Sequence, residues 1–400
     1  MGKLNKIWFL IATITLFKIL IVVLFPLEIN TFENFDIARN YVQHGEMFYT
    51  LDGNVDYSHQ FPFYGWILIL FRLFFGEAKL PIVFFQIVLS GFFSYVVIEI
   101  LRFIRKDWFF NNWVVFLILS LCLLHPALLY YQLTSTHPVT MDVFLFSLLI
   151  LVGLRWQENN SIKNATIFFT VIGISLLERF TLITALTPFV FWSLKNHKKI
   201  LSLVVITTLS FSFFLLPWMY RNYVKTEKFE MTSGTWRYLW VGIQEKTNGT
   251  NTLPNGESYY ELFPDEVKIN WGKKNLDEQL DFYKSDFKKT IHDNPYLFLK
   301  MWFVKLKNFF LFSNSFGNQS NVNSLFIALY KLFHTVTLVF AIIGLITANN
   351  KFRILFVGCL FLGILQSFFY IESRHLAPAL FILIIFFAEG LLFLKEKLFR

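Results

Sequence analysis

Charged and hydrogen-bonding side chains follow the long apolar runs of this sequence, and the first group follows the first run. The segment NTFENFDIARNYVQHGE (30–46) has apolar residues at helical spacing and carries Glu33 and Asp36. Ionisable groups beside hydrocarbon are costly and mark functional cavities. The competing interpretation is structural, because Arg39 lies one helical turn after Asp36 and the two can form an ion pair.

Further polar groups lie at the ends of later runs, on what the charge pattern predicts to be the same side of a membrane. They fall in DYSHQFPFYGW, YYQLTSTHPVTMD, LERF, PWMYRNY and ESRHLAPAL. Three arginines are among them, and arginines at span ends usually serve as headgroup anchors. These arginines are Arg179, Arg221 and Arg374. The remaining candidates for substrate binding are Glu33, His59, Tyr64, His137, Asp142, Trp218, Asn222, Trp240 and His375.

Bland alternatives apply to several of these residues. A single histidine is more often structural than a ligand, and Asp142 can act as a helix-start acid. Tryptophans near span ends are typical of the aromatic belt. We expect no metal and no cofactor, and a divalent metal held by His59, His137, His375 and an acid is the alternative.

The composition requires a membrane. Among 400 residues, 55% are hydrophobic, 16% are charged and 52 are Phe, which is more apolar surface than a soluble domain can bury. The net charge of +9 does not indicate nucleic acid, because the basic residues lie in short loops between apolar runs and orient helices in a bilayer. Cys122 and Cys359 lie inside apolar runs, so no disulfide framework is expected.

The expected fold is an all-α polytopic membrane protein with about ten transmembrane helices. With ten spans, the basic loops fall on one side, which the positive-inside rule makes cytoplasmic, together with both termini. The apolar segments 61–76 and 297–312 are then interfacial or re-entrant helices. The predicted spans are 7–26, 81–101, 113–131, 141–155, 165–177, 180–193, 200–218, 325–346, 354–371 and 376–394.

Three regions are predicted along the chain. An N-terminal transmembrane module covers 1–218 and includes the first outward loop, 27–60. The outward segment 219–296 is polar and aromatic and is long enough to contain helices of its own. Region 297–400 contains an interfacial helix and the C-terminal spans. No internal repeat is seen.

The order of these motifs resembles the GT-C glycosyltransferases that use polyprenyl-phosphate sugars. The similarity is to the branch with the protein mannosyltransferases and the lipid A aminoarabinose transferase. It rests on Asp36 in the first outward loop, HGEMFYT, QFPFYGW, PWMYRN (217–222), YLWVG (238–242) and Arg374–Pro378. It implies a GT-C-type bundle with outward-facing juxtamembrane helices. The sequence departs from the family at Ile37, where many members have Glu, at Phe61-Pro62 in place of Pro-Pro, and at Arg179 in place of Lys.

The resemblance implies a chemistry as well. A sugar on a polyprenyl phosphate is transferred with inversion to an acceptor hydroxyl at the outer face, the acceptor being a glycan, lipid or protein. Asp36 is then the general base, and Arg179, Arg221 and Arg374 stabilise the leaving phosphate. Membrane lipids are the other partners, and no nucleic acid is expected. The alternatives are a transporter or flippase of lipid-linked glycans, for which repeats or broken spans are typical, and a polysaccharide polymerase or ligase.

Residue usage rich in Phe, Ile, Lys and Asn is compatible with an AT-rich bacterial genome. We therefore expect the protein in a bacterial inner membrane, with its active site facing outward. The sequence identifies neither the sugar nor the acceptor.

Overall fold

The computed structural model describes residues 2–25, 27–106, 108, 111–194, 196–311 and 324–398, and within them the chain is almost entirely helical. Positions 26 and 312, which end the first predicted span and the second predicted interfacial helix, lie outside the described residues, as do the basic residues Lys195 and Arg400. In chain order the α-helices are α1 Gly2–Leu24, α2 Glu33–His44, α3 Pro62–Phe75, α4 Leu80–Ile104, α5 Asn112–Leu124, α6 Pro126–Thr134, α7 Val139–Glu158, α8 Ile162–Glu178, α9 Thr187–Ser193, α10 His197–Ser210, α11 Leu216–Thr226, α12 Thr235–Gly242, α13 Asp265–Trp271, α14 Leu276–Asp293, α15 Pro295–Leu311, α16 Ser324–Thr347, α17 Asn350–Gln366 and α18 Leu380–Leu398.

Six helical segments of the described chain are long and apolar enough to cross a membrane, which confirms the expected all-α membrane architecture. A seventh is the pair α5 and α6, bent by 43°. The bend falls at Pro126, which lacks an N–H group and favours extended backbone at His125. The six segments are Asn5–Leu24, Leu80–Ile104, Val139–Glu158, His197–Thr226, Leu325–Thr347 and Ser373–Leu398.

The other three predicted spans correspond to shorter helices. Span 165–177 falls on α8, which has 17 residues, and span 354–371 falls on α17, also of 17 residues. Span 180–193 is the 3₁₀ helix Phe180–Leu186 followed by α9. A full crossing needs about 20 residues, so the expected count of about ten corresponds to six long helices, one bent pair and three short ones.

Two short helices occupy the predicted interfacial segments. α3 begins at Pro62, where a missing N–H costs nothing because the first-turn donors have no helical partner. α15 covers most of 297–312.

α2 ends at His44 and is capped by Gly45. The φ of Gly45 is 76°, in the left-handed region, and its N–H donates to Tyr41 O. The HGE turn of the sequence is therefore a helix C-cap.

The last spans pack closely through glycines. A Cβ at Gly344 of α16 would collide with the carbonyl oxygen of Phe386, and a Cβ at Gly390 of α18 would collide with that of Phe340. Small residues allow two helix backbones to approach inside a membrane, where dispersion contacts replace the hydrophobic effect. The backbones of these two helices therefore lie in close contact at Gly344 and Gly390.

The segment 219–296 has a hydrophobic core of its own. Buried aromatic and aliphatic side chains of α12, α13, α14 and the segments between them form it, and 3₁₀ turns at Glu245–Thr247 and Tyr259–Leu262 lie between α12 and α13. α14 begins with a capping box between Asn275 and Glu278. The division into three regions stays a prediction. α11 crosses its first boundary, because this helix continues past position 218 to Thr226. The core residues are Trp240, Val241, Ile243, Phe263, Trp271, Tyr283 and Phe287.

A β-hairpin not expected from the sequence joins this segment to the first outward loop. Strands β1 (Tyr49–Leu51) and β2 (Asn54–Asp56) are antiparallel, with Leu51 opposite Asn54. The turn is Asp52-Gly53, both at positive φ, as two-residue hairpins require. Asp52 accepts hydrogen bonds from Tyr260 Oη (2.8 Å) and Trp271 Nε1 (3.0 Å). The first loop and the segment 219–296 thus form one assembly.

Cysteine labelling tests the proposed orientation of the membrane helices. Asn160 lies between α7 and α8 and Asn255 lies in the outward segment, and both are exposed. We expect an impermeant maleimide to label Asn255→Cys but not Asn160→Cys in intact cells, because the positive-inside rule predicts that the basic loops are cytoplasmic. The unsubstituted chain is the control, since Cys122 and Cys359 are buried. Labelling of Asn160→Cys from outside would overturn the orientation.

Candidate functional site

A cavity of about 470 Å³ lies between the ends of the membrane helices and the outward segment. Its lining comes from the loop before α2 and the first turn of α2, the β-hairpin and the start of α3. The junctions before α7 and after α8, α12, the 3₁₀ turn Tyr259–Leu262, the end of α17 and the turn before α18 complete it. Seven residues predicted from the sequence line it: Glu33, His59, Tyr64, His137, Arg179, Arg374 and His375. The other predicted residues, Asp36, Asp142, Trp218, Arg221, Asn222 and Trp240, are not part of its lining.

The two carboxylates of α2 differ in their surroundings. Glu33 lines the cavity from the first helical turn, where the helix dipole favours a negative charge. Asp36 accepts a hydrogen bond from Arg39 Nη1 at 2.8 Å, and its side chain is 36% exposed. The ion pair raised as the alternative from the sequence is therefore present, and Glu33 is the acid that α2 presents to the cavity.

Two arginines line the cavity from the membrane helix ends, and each is paired with a buried carboxylate. Arg179 follows α8 in an extended conformation and lies 3.0 Å from Asp142 Oδ2 of α7. Arg374 Nη2 lies 2.7 Å from Glu372 Oε2 and 3.4 Å from Tyr370 Oη. The pKa of Glu372 lies above its usual value, mainly because the side chain is buried. The charge of Arg374 opposes this shift, and the charge of Glu33 adds to it. Asp142 thus contributes indirectly, by orienting Arg179.

The PWMYRN motif has a structural role in the described geometry. Arg221 donates to the carbonyl oxygens of Met47 (2.7 Å) and Tyr57. Trp218 Nε1 donates to Met231 O at 3.1 Å, and Asn222 Nδ2 donates to Glu230 O at 3.0 Å. These side-chain donors are therefore already hydrogen-bonded to backbone carbonyl oxygens of the outward loops. Trp240 is likewise buried in the outward core and donates to Asp286 at 2.7 Å.

His59 is held by a buried carboxylate at the cavity wall. Its Nδ1 lies 3.0 Å from Asp56 Oδ2, and its ring stacks on Tyr49 with centroids 4.4 Å apart. Asp56 also accepts from Ser233 Oγ at 2.5 Å and from Ser58 N at 3.0 Å. Among the described residues, Nε2 of His59 has no hydrogen-bond partner. A proton on Nδ1 leaves Nε2 as an acceptor for a substrate hydroxyl.

The Asp56 cluster predicts a pH-dependent stability. Burial opposes ionisation of Asp56, but hydrogen bonds from His59, Ser233 and Ser58 hold its pKa below the usual range. A depressed carboxyl pKa stabilises the fold above the unfolded value near 4, and this is lost as pH falls through the lower folded value. We expect Asp56→Asn to lower the free energy of unfolding by roughly 1.5–3 kcal/mol at neutral pH. It should also reduce the fall of Tm with decreasing pH on the acid side of a plot of Tm against pH. An unchanged profile would contradict it; Asp277→Asn, at an exposed acid, is the control.

Two further histidines lie near the arginines. Burial lowers the pKa of His137 well below its usual value, and the charge of Arg374 adds to this effect, so the ring is neutral. His137 packs edge-on against Phe32 at 4.8 Å, and His375 Nδ1 accepts from Glu372 N at 3.1 Å. The described residues contain no group of three or more His, Cys, Asp or Glu side chains placed to hold a metal. The expectation of no cofactor stays a prediction.

Two charged residues of the lining were not among the candidates from the sequence. Glu178 precedes Arg179 and is buried at the cavity wall. Arg237 of α12 is also buried and lines the cavity. The sequence signal for Arg237 was its place among the aromatic residues of TWRYLW, but an arginine in a polar loop is usually solvated.

No protein-family model matches this chain, and no curated protein matches it. Among solved structures, it is similar to the crystal structure of ArnT from Cupriavidus metallidurans bound to undecaprenyl phosphate. The two chains are 10% identical, the match covers 96% of this chain and 77% of that chain, and the TM-score is 0.45. The crystal structure of ArnT from Cupriavidus metallidurans in the apo state is 11% identical, the match covers 96% of this chain and 76% of that chain, and the TM-score is 0.40. The roles below rest on the residues of this chain.

Proposed function

We propose that this protein is a membrane glycosyltransferase that moves a sugar from a polyprenyl phosphate to an acceptor at the outer face of the membrane. The single observation that supports it best is the cavity in which Arg179 and Arg374, at the ends of membrane helices, and Glu33, on the outward helix α2, line one space. A lipid-side pair of cations suits a phosphate, and a water-side carboxylate suits a hydroxyl.

The donor is proposed to bind along the membrane wall of the cavity. Its prenyl chain lies against apolar helix surfaces, and its phosphate replaces part of the contact that Arg179 and Arg374 make with Asp142 and Glu372. Arg221 is left out of this phosphate set, because carbonyl oxygens already occupy its guanidinium. As the bond from the anomeric carbon to the phosphate oxygen breaks, negative charge develops on the phosphate, and fixed guanidinium groups stabilise it without reorganisation.

The acceptor is proposed to enter from the outward segment. Glu33 takes the proton of the acceptor hydroxyl. The hydroxyl oxygen attacks the anomeric carbon from the face opposite the phosphate, so the configuration at that carbon inverts. His59, oriented by Asp56, accepts a further hydrogen bond through Nε2. Asp36, the base that the resemblance implied, remains the competing candidate and is compared with Glu33 in the Discussion.

A product assay tests the function. Membranes containing the full chain are incubated with radiolabelled polyprenyl-phosphate sugars and a panel of glycan, lipid and protein acceptors. We expect labelled product and released polyprenyl phosphate in equal amounts. Vesicle-to-vesicle movement of intact donor without new product would support a flippase instead. Growth of a repeating polymer on a lipid diphosphate would support a polymerase.

A further inference from the structure

The outward wall of the cavity contains a buried cation that the mechanism above does not use. Arg237 is 8% exposed and lines the cavity. Its Nη2 donates to Tyr238 Oη at 3.3 Å, and its guanidinium lies 5.0 Å from the centre of that ring. In the part of the chain that the structure describes, no carboxylate lies within 4.0 Å of Arg237. This distinguishes it from Arg179 and Arg374, which both have one.

An unpaired guanidinium in a protein interior requires compensation. Removing a cation from water costs several kcal/mol, and a nearby anion with good geometry offsets that cost. The Tyr238 phenol supplies a hydrogen bond and a π contact to Arg237, but no negative charge. An anionic ligand in the cavity would supply the charge, and the planar fork of arginine matches a carboxylate or phosphate group.

The position of Arg237 assigns that anion to the acceptor side. Arg237 stands on α12, within the outward segment, whereas the membrane helix ends provide the arginines proposed for the donor phosphate. Tyr259 and Tyr260 also line the cavity, and their rings stack with centroids 4.7 Å apart. Broad aromatic faces of this kind are common in small-molecule sites and fit the flat face of a sugar ring.

Glu33 and Arg237 both line this one cavity. Burial raises the pKa of Tyr238, and the charge of Arg237 lowers it while that of Glu33 raises it, so both charges act on the same phenol. An acceptor whose hydroxyl meets Glu33 therefore lies in the same cavity as Arg237. We propose that Arg237 binds an acidic group of the acceptor, a carboxylate or a phosphate, so that the acceptor is an acidic saccharide. This inference rests on the proposed transfer reaction.

Binding to the purified full chain tests the proposal without requiring turnover. The probes are a hyaluronan tetrasaccharide, its carboxyl-reduced counterpart, glucose 6-phosphate, glucose and a polyprenyl phosphate. We expect the wild type to bind at least one acidic probe about tenfold or more tightly than its neutral partner. Arg237→Gln should abolish that preference, Arg237→Lys should keep part of it, and neither should alter polyprenyl phosphate binding.

The control variant is Arg39→Gln, the same chemical change at an exposed arginine outside the cavity. Equal binding of acidic and neutral probes by the wild type would overturn the proposal. Loss of polyprenyl phosphate binding in Arg237→Gln, with acidic probes unaffected, would also overturn it and assign Arg237 to the donor. If Arg237→Gln fails to fold, the wild-type comparison and Arg237→Lys decide.

The outcome is separate from that of the function assay. Charge-dependent binding of an acidic saccharide through Arg237, with no transfer from any polyprenyl-phosphate sugar, would support the anion site and contradict the proposed function. Transfer to neutral acceptors alone, with equal rates in Arg237→Gln and wild type, would support the function and overturn the acidic acceptor.

Discussion

Glu33→Gln is expected to lower transfer by about 10²–10⁴-fold, the range typical of a lost general base, while donor binding stays near the wild-type level. The amide has the shape of the carboxyl group but cannot take a proton. Glu33 lines the cavity from the first turn of α2, and the donor phosphate is proposed to rest on arginines elsewhere. The measurement is the rate of product formation together with polyprenyl phosphate binding for the same preparation.

Asp36→Asn and Arg39→Gln provide the comparison for Glu33→Gln. Asp36 and Arg39 form a pair at 2.8 Å in which both side chains are more than one-third exposed. Such a helix pair contributes about 0.3–0.5 kcal/mol, so both variants should be mild and alike. A loss of 10²-fold or more in Asp36→Asn, with Glu33→Gln and Arg39→Gln near wild type, would make Asp36 the base.

Removing either membrane-side arginine is expected to weaken use of the donor by tenfold or more in kcat/KM, since a charge-assisted contact contributes roughly 1.5–3 kcal/mol. The single variant Arg179→Gln also leaves Asp142 buried and unpaired, which costs about 3–5 kcal/mol of stability. The double variant Arg179→Gln with Asp142→Asn removes that charge. It should fold better than the single variant and still bind polyprenyl phosphate weakly.

The matched control for this series is Asp142→Asn alone. It keeps Arg179 and frees its guanidinium from the carboxylate, so phosphate binding should be retained. The equivalent set at the second site is Arg374→Gln, alone and with Glu372→Gln. Wild-type donor kinetics in both double variants would place the phosphate elsewhere, with Arg221 and Arg237 as the next candidates.

The burial of these ion pairs distinguishes the two arginines from residues that only anchor a helix at the lipid headgroups. A headgroup anchor keeps its charge in water, whereas the Arg374 side chain is only 10% exposed and its partner Glu372 is fully buried. A phosphate entering the cavity exchanges one buried anion contact for another. The cost of desolvating the arginine has then already been met on folding, whereas the carboxylate that loses its arginine must take up a proton or another hydrogen-bond donor.

Several features of the fold are readable from the sequence because they depend on local composition. The apolar runs place the spans, as the six long helices show. Amphipathic spacing predicts α2, and Pro62 marks the beginning of α3. Seven predicted site residues line one cavity, because polar groups at the ends of spans are pushed to similar depths by the bilayer itself.

The choice among those polar groups was decided only by tertiary structure. Glu33 and Asp36 are three residues apart and therefore neighbours on the helix surface, so periodicity cannot say which one meets the cavity and which one meets Arg39. The same holds for Arg221 and Arg237. Each follows an aromatic residue in an outward segment. Arg221 donates to the carbonyls of Met47 and Tyr57, while Arg237 lines the cavity and, among the described residues, has no carboxylate partner. What surrounds a charged side chain depends on elements distant in the sequence, and only their packing determines whether the charge is paired, solvated or open to a ligand.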